Sequence, residues 1–120
     1  MIVLFSHKKE DHISLADMAK QKDSMETSLV ISHWMSTRYT VEFMGIWESV
    51  TNPDFKSTEF GRVKMESGSN DFVLTSKRWT EAINAIGIFS KSGRYGGGTF
   101  AHRNIVFEFA SWISIEFELN

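Results

Sequence analysis

The sequence contains no cysteine, a single proline and no long apolar run. Without cysteine the chain has no disulfide, no thiol nucleophile and no cysteine-based metal site, a composition that suits a reducing compartment. Its apolar segments fall far short of the roughly 20 residues that a membrane helix needs. The apolar start, Met1–Phe5, is too short for the core of a signal peptide. We therefore expect a cytoplasmic protein with no membrane partner.

The common motifs of catalysis and metal binding are also missing. The run Gly96–Thr99 is not followed by the Gly-Lys-Ser/Thr of a phosphate-binding P-loop. No G-x-S-x-G nucleophile elbow or H-E-x-x-H zinc motif occurs, and the four histidines lie in unrelated segments. Glu108, Glu116 and Glu118 could chelate a divalent ion, but their spacing favours a solvated face. We expect no enzyme activity, no metal and no cofactor.

The chain has enough large apolar side chains for one core. It has 120 residues, of which 42% are hydrophobic and 13% aromatic, with ten Phe and four Trp. Aromatic side chains bury a large apolar area each, and a chain of this length supports a single core. We expect one domain over residues 1–120.

Charge is distributed unevenly along the chain. Residues 1–54 carry 5 Lys and Arg against 8 Asp and Glu, residues 55–103 carry 8 against 4, and residues 104–120 carry 0 against 3. The middle segment is therefore net positive although the whole chain is at −2. A basic face on a neutral-to-acidic body can still neutralise phosphates, with clear sensitivity to salt.

The most informative segment is Gly93–Arg103, which holds four of the chain's eight glycines together with Arg94 and Tyr95. No acidic residue interrupts Lys91–Asn104. Glycine lets the backbone turn sharply and approach a partner closely. The pattern is typical of a β-hairpin wing that binds nucleic acid. The alternative is an ordinary hairpin turn whose charges are solvated.

Apolar spacing and capping residues predict five helices. They are Leu15–Lys20 after Ser14, Ser28 or Leu29 to Ser36, Val41–Val50 after Thr40, Ser76–Ile86 after Thr75, and His102–Ile113. In the third of these, the spacing predicts that Phe43, Ile46, Trp47 and Val50 share the buried face. Gly87 is the predicted stop of the fourth.

Short strands are predicted between these helices. They are Ile2–Ser6, His12–Ser14, Phe60–Met65, Phe72–Leu74 and the two hairpin arms Ile88–Lys91 and Gly98–Ala101. Residues 51–71 otherwise have the composition of a loop. The order predicts a small single α+β domain in which helices pack with short antiparallel strands.

Several blocks of the sequence resemble the KilA-N domain, a family of DNA-binding modules from phages, large DNA viruses and bacterial genomes. The matching blocks are His12–Lys20 (HISLADMAK), Ile31–Met35 (ISHWM), Thr40–Trp47 (TVEFMGIW), and Gly93–Ser114, in which TFAH leads into FEFASWIS. The signature blocks span about residues 12–50 and 72–117. The last block is long and ordered, and is the most specific of the four.

The resemblance implies a fold like that of the fungal APSES transcription-factor domains, a winged helix-turn-helix with a Gly-rich hairpin as its wing. In such folds a helix docks against the duplex while the hairpin reaches a groove or the backbone. By this analogy the basic helix 76–86 and the wing 91–103 would contact double-stranded DNA, within a phage-derived transcription regulator. The residues expected to bind DNA are Arg94, Tyr95, Lys91, Arg78, Lys77, Gly96, Gly97, Gly98 and Arg103.

Two neighbours of these residues have more local interpretations. His102 is expected to cap or orient the base of the wing, and Thr99 to serve a strand arm. A protein-interaction module that uses the same fold without DNA is the alternative function, and the net negative charge favours it slightly. Dimerisation would suit a two-fold DNA site, but no heptad or apolar seam in the sequence identifies it.

Overall fold

A computed structural model of the chain describes residues 12–22, 27–92 and 98–118. Within these ranges the chain is a small α+β domain with six helices and one three-stranded antiparallel sheet. The elements are β1 (His12–Ser14), α1 (Leu15–Lys22), α2 (Thr27–Met35), α3 (Arg38–Thr51), α4 (Ser57–Glu66), α5 (Ser76–Ile83), β2 (Ile88–Lys91), β3 (Gly98–His102) and α6 (Arg103–Glu118). The predicted strand Ile2–Ser6 lies outside the described residues.

The sheet has the strand order β1-β3-β2, with β3 in the centre. β2 and β3 pair antiparallel from Ile88 opposite Ala101 to Lys91 opposite Gly98, and β1 pairs with the other edge of β3. The predicted hairpin arms are thus confirmed. We call β2 and β3, with the residues that join them in sequence, the hairpin.

The long last helix, α6, lies at the centre of the core. Its residues Ile105, Val106, Phe109 and Ile113 are buried, and the ring of Phe109 meets that of Trp34 edge-on at 5.0 Å. The helix begins at Arg103, one residue later than predicted, because His102 is the last residue of β3. Neither α6 nor any other helix within the described ranges combines the length and apolarity needed to cross a membrane.

Two predicted helix caps are confirmed and one is wrong. The hydroxyls of Ser14 and Thr75 accept hydrogen bonds from the amides of Asp17 and Arg78, at 3.1 and 3.2 Å, and so satisfy free N–H groups of the first turn. Helix α3 is capped by Thr37 instead of Thr40 and begins three residues before the predicted start.

The predicted buried face of α3 is wrong because polar and small residues take part in the real one. Glu48 and Gly45 face inward beside Met44 and Trp47, whereas Ile46 and Val50 are 64% and 67% exposed. Apolar spacing alone cannot assign Gly and Glu to the inner face. The predicted buried face is therefore turned about the helix axis relative to the observed one.

Helix α5 is shorter than predicted. It ends at Ile83, and Asn84 follows in the left-handed conformation at φ 61°, which Asn tolerates better than most residues. The amide of Asn84 donates to the carbonyl of Thr80 at 2.9 Å. Gly87 therefore does not stop the helix; it lies just before β2.

The segment predicted to be a loop with a strand at Phe60–Met65 contains the helix α4 instead. Its Val63 is buried, and its Phe60 ring lies on Gly45 of α3, where any side chain on Gly45 would collide with it. The glycine at 61 weakens the local helix signal. Packing against a glycine 15 residues earlier in the chain compensates for that weakness, and this long-range contact is invisible in the local sequence.

The predicted strand Phe72–Leu74 is also wrong. Its backbone bonds to side chains instead of to a neighbouring strand: Ser32 Oγ donates to the carbonyl of Leu74 at 2.9 Å, and the amide of Leu74 donates to Ser36 Oγ at 2.7 Å. Two serines of α2 thereby satisfy the backbone of this segment and hold Leu74 in the core.

Candidate nucleic-acid interface

Helix α5 and the hairpin are joined by direct hydrogen bonds. Thr80 Oγ1 on α5 donates to the carbonyl of Ile88 on β2 at 3.0 Å. Further along, the hydroxyls of Ser76 and Ser90 are hydrogen-bonded to each other. We call the surface made by α5, β2 and β3 the α5–hairpin face. Helix α5, which carries Lys77 and Arg78, and strand β2, which carries Lys91, are therefore neighbours.

Lys77 is exposed near the start of α5 and lines two grooves of this face. The first, of about 200 Å³, lies between α2, α5 and the strands, and carries the hydroxyls of Ser28, Ser90 and Thr99. The second, of about 390 Å³, lies between α5 and β2 and reaches Ser92. A lysine beside hydroxyl groups offers hydrogen-bond donors of the kind that bind phosphate oxygens.

Lys91 and Gly98 mark the end of the hairpin nearest its connecting segment. They are opposite each other in the strand register, and Lys91 is exposed. Gly98 has φ 136°, a conformation that strongly favours glycine. The other predicted residues of the wing tip, Arg94, Tyr95, Gly96 and Gly97, lie outside the described residues.

Arg78 is engaged with the body of the domain. Its guanidinium forms an ion pair with Glu66 of α4 and donates to the carbonyl of Val73 at 3.2 Å. It also lies over the ring of Phe72, at 5.5 Å from the centroid. The side chains of the ion pair remain about half exposed, so the pair contributes little stability by itself. Arg78 nonetheless has partners on the protein, whereas its neighbour Lys77 has none among the described residues.

Arg103 lies at the opposite end of β3 from Gly98 and is exposed. At a rise of about 3.3 Å per residue, the two positions are separated by about 17 Å along the strand. Its neighbour His102 is buried, and its Nδ1 accepts a hydrogen bond from the amide of Asn104 at 3.2 Å. The contacts of His102 agree with the predicted local role at the base of the hairpin.

A match to a protein family agrees with the blocks noted in the sequence. The family model of the KilA-N domain matches residues 2–120, essentially the whole chain. The chain belongs to the KilA-N family. Membership suggests a DNA-binding domain in general terms. No curated protein and no solved structure matches the chain.

Sequence reasoning missed the hydroxyl groups of this KilA-N domain that line the two grooves. Ser90, Ser92 and Thr99 stand on the arms of the hairpin beside the basic residues. Ser90 and Ser92 alternate with Phe89 and Lys91, so in a strand the two serines share one face and Lys91 stands on the other. That alternation could have identified them once both arms were assigned.

A second surface of the KilA-N domain lies on the outer sides of α3 and α6. Ile46 and Val50 on α3 and Phe107 and Ile115 on α6 are each more than 60% exposed. We call these four residues, together with Tyr39, the α3–α6 surface. Neighbouring exposed apolar side chains are a feature of protein-contact surfaces. Other large apolar side chains, Ile13, Leu29, Met65 and Val73, are exposed elsewhere in the described residues.

One hydrogen bond links the two helices at this surface. Tyr39 Oη donates to Glu108 Oε1 at 3.2 Å. The negative charge of Glu108, and the hydrogen bond to it, raise the pKa of Tyr39 above 10.0. Beside this pair lies a groove of about 380 Å³, which Trp112 and Ile115 also line.

Proposed function

We propose that this KilA-N domain binds double-stranded DNA through the α5–hairpin face. One observation carries the proposal. Lys77 of α5 lines a groove with Phe89, Ser90 and Ser92 of the neighbouring strand segment, and with Glu81, and Lys91 of the same strand is exposed. An exposed cation on each of two neighbouring elements could neutralise phosphates of one duplex.

In this proposal Lys77 and Lys91 bind phosphates, and the hydroxyls of Ser90 and Thr99 add hydrogen bonds. Arg94, Tyr95 and the amides of Gly96–Gly98, which join the two strands in sequence, add further contacts. Contacts of this kind position a protein on the duplex without reading its sequence. Arg78 would have to give up its contact with Glu66 to bind a phosphate. Arg103, at the far end of β3, would bind a phosphate farther along the duplex.

In this proposal the domain acts as a winged helix-turn-helix, with α5 as the docking helix and the hairpin as the wing. A module of this kind suits a transcription regulator acting in the cytoplasm. The resemblance to phage and viral proteins favours a phage-derived one. The proposal assigns no catalytic step and no cofactor to the domain.

The test is fluorescence anisotropy with a short random-sequence duplex over a series of salt concentrations. Because each neutralised phosphate releases counterions, log Kobs should fall linearly with log salt, with a slope near −0.9 per phosphate neutralised. If the domain neutralises about three to five phosphates, the slope should be roughly −3 to −4.5. Absence of binding at low salt would overturn the proposal.

The α3–α6 surface supports a second candidate function, that of a protein-interaction module. Its four large apolar residues are far more exposed than a core-facing position requires, and the net charge of −2 does not favour DNA. An apolar protein contact would respond weakly to added salt. Replacing Ile46 and Phe107 by Ser should abolish such a contact and leave duplex binding unchanged, which separates the two functions.

A further inference from the structure

The inner side of α3 carries a carboxylate that the proposed DNA contacts do not use. Glu48 is fully buried, with 0% of its surface exposed, in the middle of a helix whose other inward residues include Met44 and Trp47. A buried charge is costly unless hydrogen bonds compensate for lost hydration. The partners of Glu48 therefore indicate what its burial achieves.

Those partners are the backbone amides that connect α5 to the hairpin. Glu48 Oε2 accepts from the amide of Gly87 at 2.7 Å, and both carboxylate oxygens lie 3.1 Å from the amide of Ile86. Asn52, one turn further along α3, donates to Glu48 Oε1 at 2.9 Å and to the carbonyl of Asn84 at 2.8 Å. Together the two side chains hold residues 84–87 on α3.

The same short connection supports both strands of the hairpin. Gly87 immediately precedes β2, and its carbonyl accepts a hydrogen bond at 2.8 Å from the amide of His102, the last residue of β3. His12 of β1 contacts the carbonyl of Ile86 with its ring nitrogen at 3.1 Å. The carboxylate on α3 thus fixes the connection at which β2 begins and to which the end of β3 is bonded.

We propose that Glu48 is a positioning residue for DNA binding, which sets the direction of the hairpin by holding its base. The inference rests on the proposed function. Lys91 lies at the other end of β2, so a shift of the base moves it as far as the Thr80–Ile88 and Ser76–Ser90 bonds to α5 allow. Lys77 depends on the base less, since it belongs to α5, which Trp79 and Ile83 anchor in the core.

A carboxylate is required because two amides converge on it. Its oxygens accept from both sides and present no hydrogen to the N–H groups. In Glu48→Gln one oxygen becomes an NH2 group, so a donor faces the donors of Ile86 or Gly87. The connection must then move, although the side chain keeps its size.

A double-mutant cycle on the 120-residue chain tests the assignment, with Kd for a short random duplex as the readout. Glu48→Gln should weaken binding about as much as Lys91→Ala does, because its hydrogen bonds lie within the protein and affect Kd only through the position of Lys91. Lys91→Ala should then cost much less in the Glu48→Gln background than in the native chain. Lys77→Ala should cost the same in both, as expected for sites that do not share a partner.

A purely structural role would give a different result. A matched control, Ile113→Ala, lowers stability from within α6 without touching residues 84–87. Measured well below each Tm, it should leave Kd and both lysine effects unchanged. Additive effects of Glu48→Gln and Lys91→Ala, or an unchanged Kd in folded Glu48→Gln, would overturn the positioning role alone. A native chain that does not bind the duplex would overturn the proposed function and this inference with it.

Should Glu48→Gln fail to fold, Asn52→Ala decides the matter. It leaves the carboxylate on both amides but removes the link to Asn84, and a weaker form of the same non-additivity with Lys91→Ala is expected. Full additivity in that background would overturn the role. A nuclear magnetic resonance spectrum of each variant confirms that the comparison is made between folded proteins.

Discussion

The α5–hairpin face and the α3–α6 surface differ in what they expose. The first exposes Lys77 on the helix, beside hydroxyls that line two grooves, and Lys91 on the strand. The second offers Ile46, Val50, Phe107 and Ile115 with one tyrosine–carboxylate pair. A phosphate backbone is bound by the first kind of chemistry, and an apolar partner by the second. The contrast shows that two binding functions can be assigned to separate surfaces and tested separately.

Both surfaces depend on the same interior. Trp79 on the inner side of α5 and Phe109 on the inner side of α6 are both fully buried. Glu48 of α3 bonds to the base of the hairpin. The outer side of each helix is therefore free to vary in chemistry while its inner side keeps the helix in place.

The largest expected effect on stability comes from truncating Trp79, the aromatic side chain on the inner side of α5. Trp79 is fully buried and meets the ring of Phe60 edge-on at 6.0 Å. Trp79→Ala should cost about 3–5 kcal/mol of the free energy of unfolding, a large part of a typical total of about 5–15 kcal/mol. Urea denaturation measures the loss.

The matched variant is Phe107→Ala, which truncates an aromatic ring on the α3–α6 surface that is 71% exposed. Its free energy of unfolding should stay within about 0.5 kcal/mol of the native value. A loss comparable to that of Trp79→Ala would show that the outer side of α6 is covered in solution, which would strengthen the protein-interaction function.

A smaller loss of stability is expected from substituting Gly87, where the base of the hairpin meets α3 and α6. A Cβ atom there would lie 2.6 Å from Ile105 Cδ1 and 2.7 Å from the Trp47 ring. Gly87→Ala should cost about 1–3 kcal/mol through overpacking. Thermal unfolding measures it.

The control for this variant is Gly61→Ala in α4, where nothing lies within 4 Å of the new methyl group. Alanine is the better helix former by about 1 kcal/mol, so Gly61→Ala should raise Tm. Equal Tm values for the two variants would mean that the base of the hairpin is not packed as tightly as its contacts indicate.

DNA binding tests the contrast between the two surfaces at matched charge. Lys77→Ala combined with Lys91→Ala removes two cations from the α5–hairpin face, and should weaken duplex binding at least tenfold, about 1.4 kcal/mol. The salt slope should shrink by about 1.8, because two phosphates are no longer neutralised by the protein. Anisotropy titrations over a salt series measure both quantities.

The control removes the same charge from another place. Arg62→Ala combined with Lys64→Ala takes two exposed cations from α4, and should change Kd only through the weak long-range field. Equal losses in the two double variants would mean that net charge, and not the α5–hairpin face, governs binding.

Local signals in the sequence predicted much of the fold. Ser14 and Thr75 cap the helices they were expected to cap, and the arms of the hairpin pair as expected. Each of these features depends on residues within a few positions of one another. The helix at Ser57–Glu66 and the phase of α3 were missed because they depend on packing between α3 and α4, such as that of Phe60 on Gly45.

The candidate site divides in the same way. Residue type and spacing identified Lys77 and Lys91, which the structure leaves exposed. They did not show that Arg78 pairs with Glu66 of a helix that the sequence had not predicted. Nor could they show that Glu48 holds the hairpin base, since its partners are backbone amides 38 and 39 residues later. Almost every residue type has a backbone N–H, so the residue types at 86 and 87 do not indicate that their amides bind Glu48.

The smallest expected effect concerns the link between α3 and α6. The pKa of Tyr39 is raised above 10.0 by the charge of Glu108 and by the hydrogen bond to it. The folded state therefore favours the protonated phenol. Its contribution to stability is present below the unfolded pKa of 10.0 and is lost as the pH rises through the higher folded value.

The chain has two tyrosines, so Tyr95→Phe leaves Tyr39 as the only phenol to titrate. An ultraviolet absorbance titration of this variant should give a midpoint above 10.0, and adding Glu108→Gln should return it toward that value. An unshifted midpoint in the first variant would mean that Tyr39 and Glu108 are apart in solution. The α3–α6 surface would then consist of two independent helix faces, and the groove between them could not serve as one binding site.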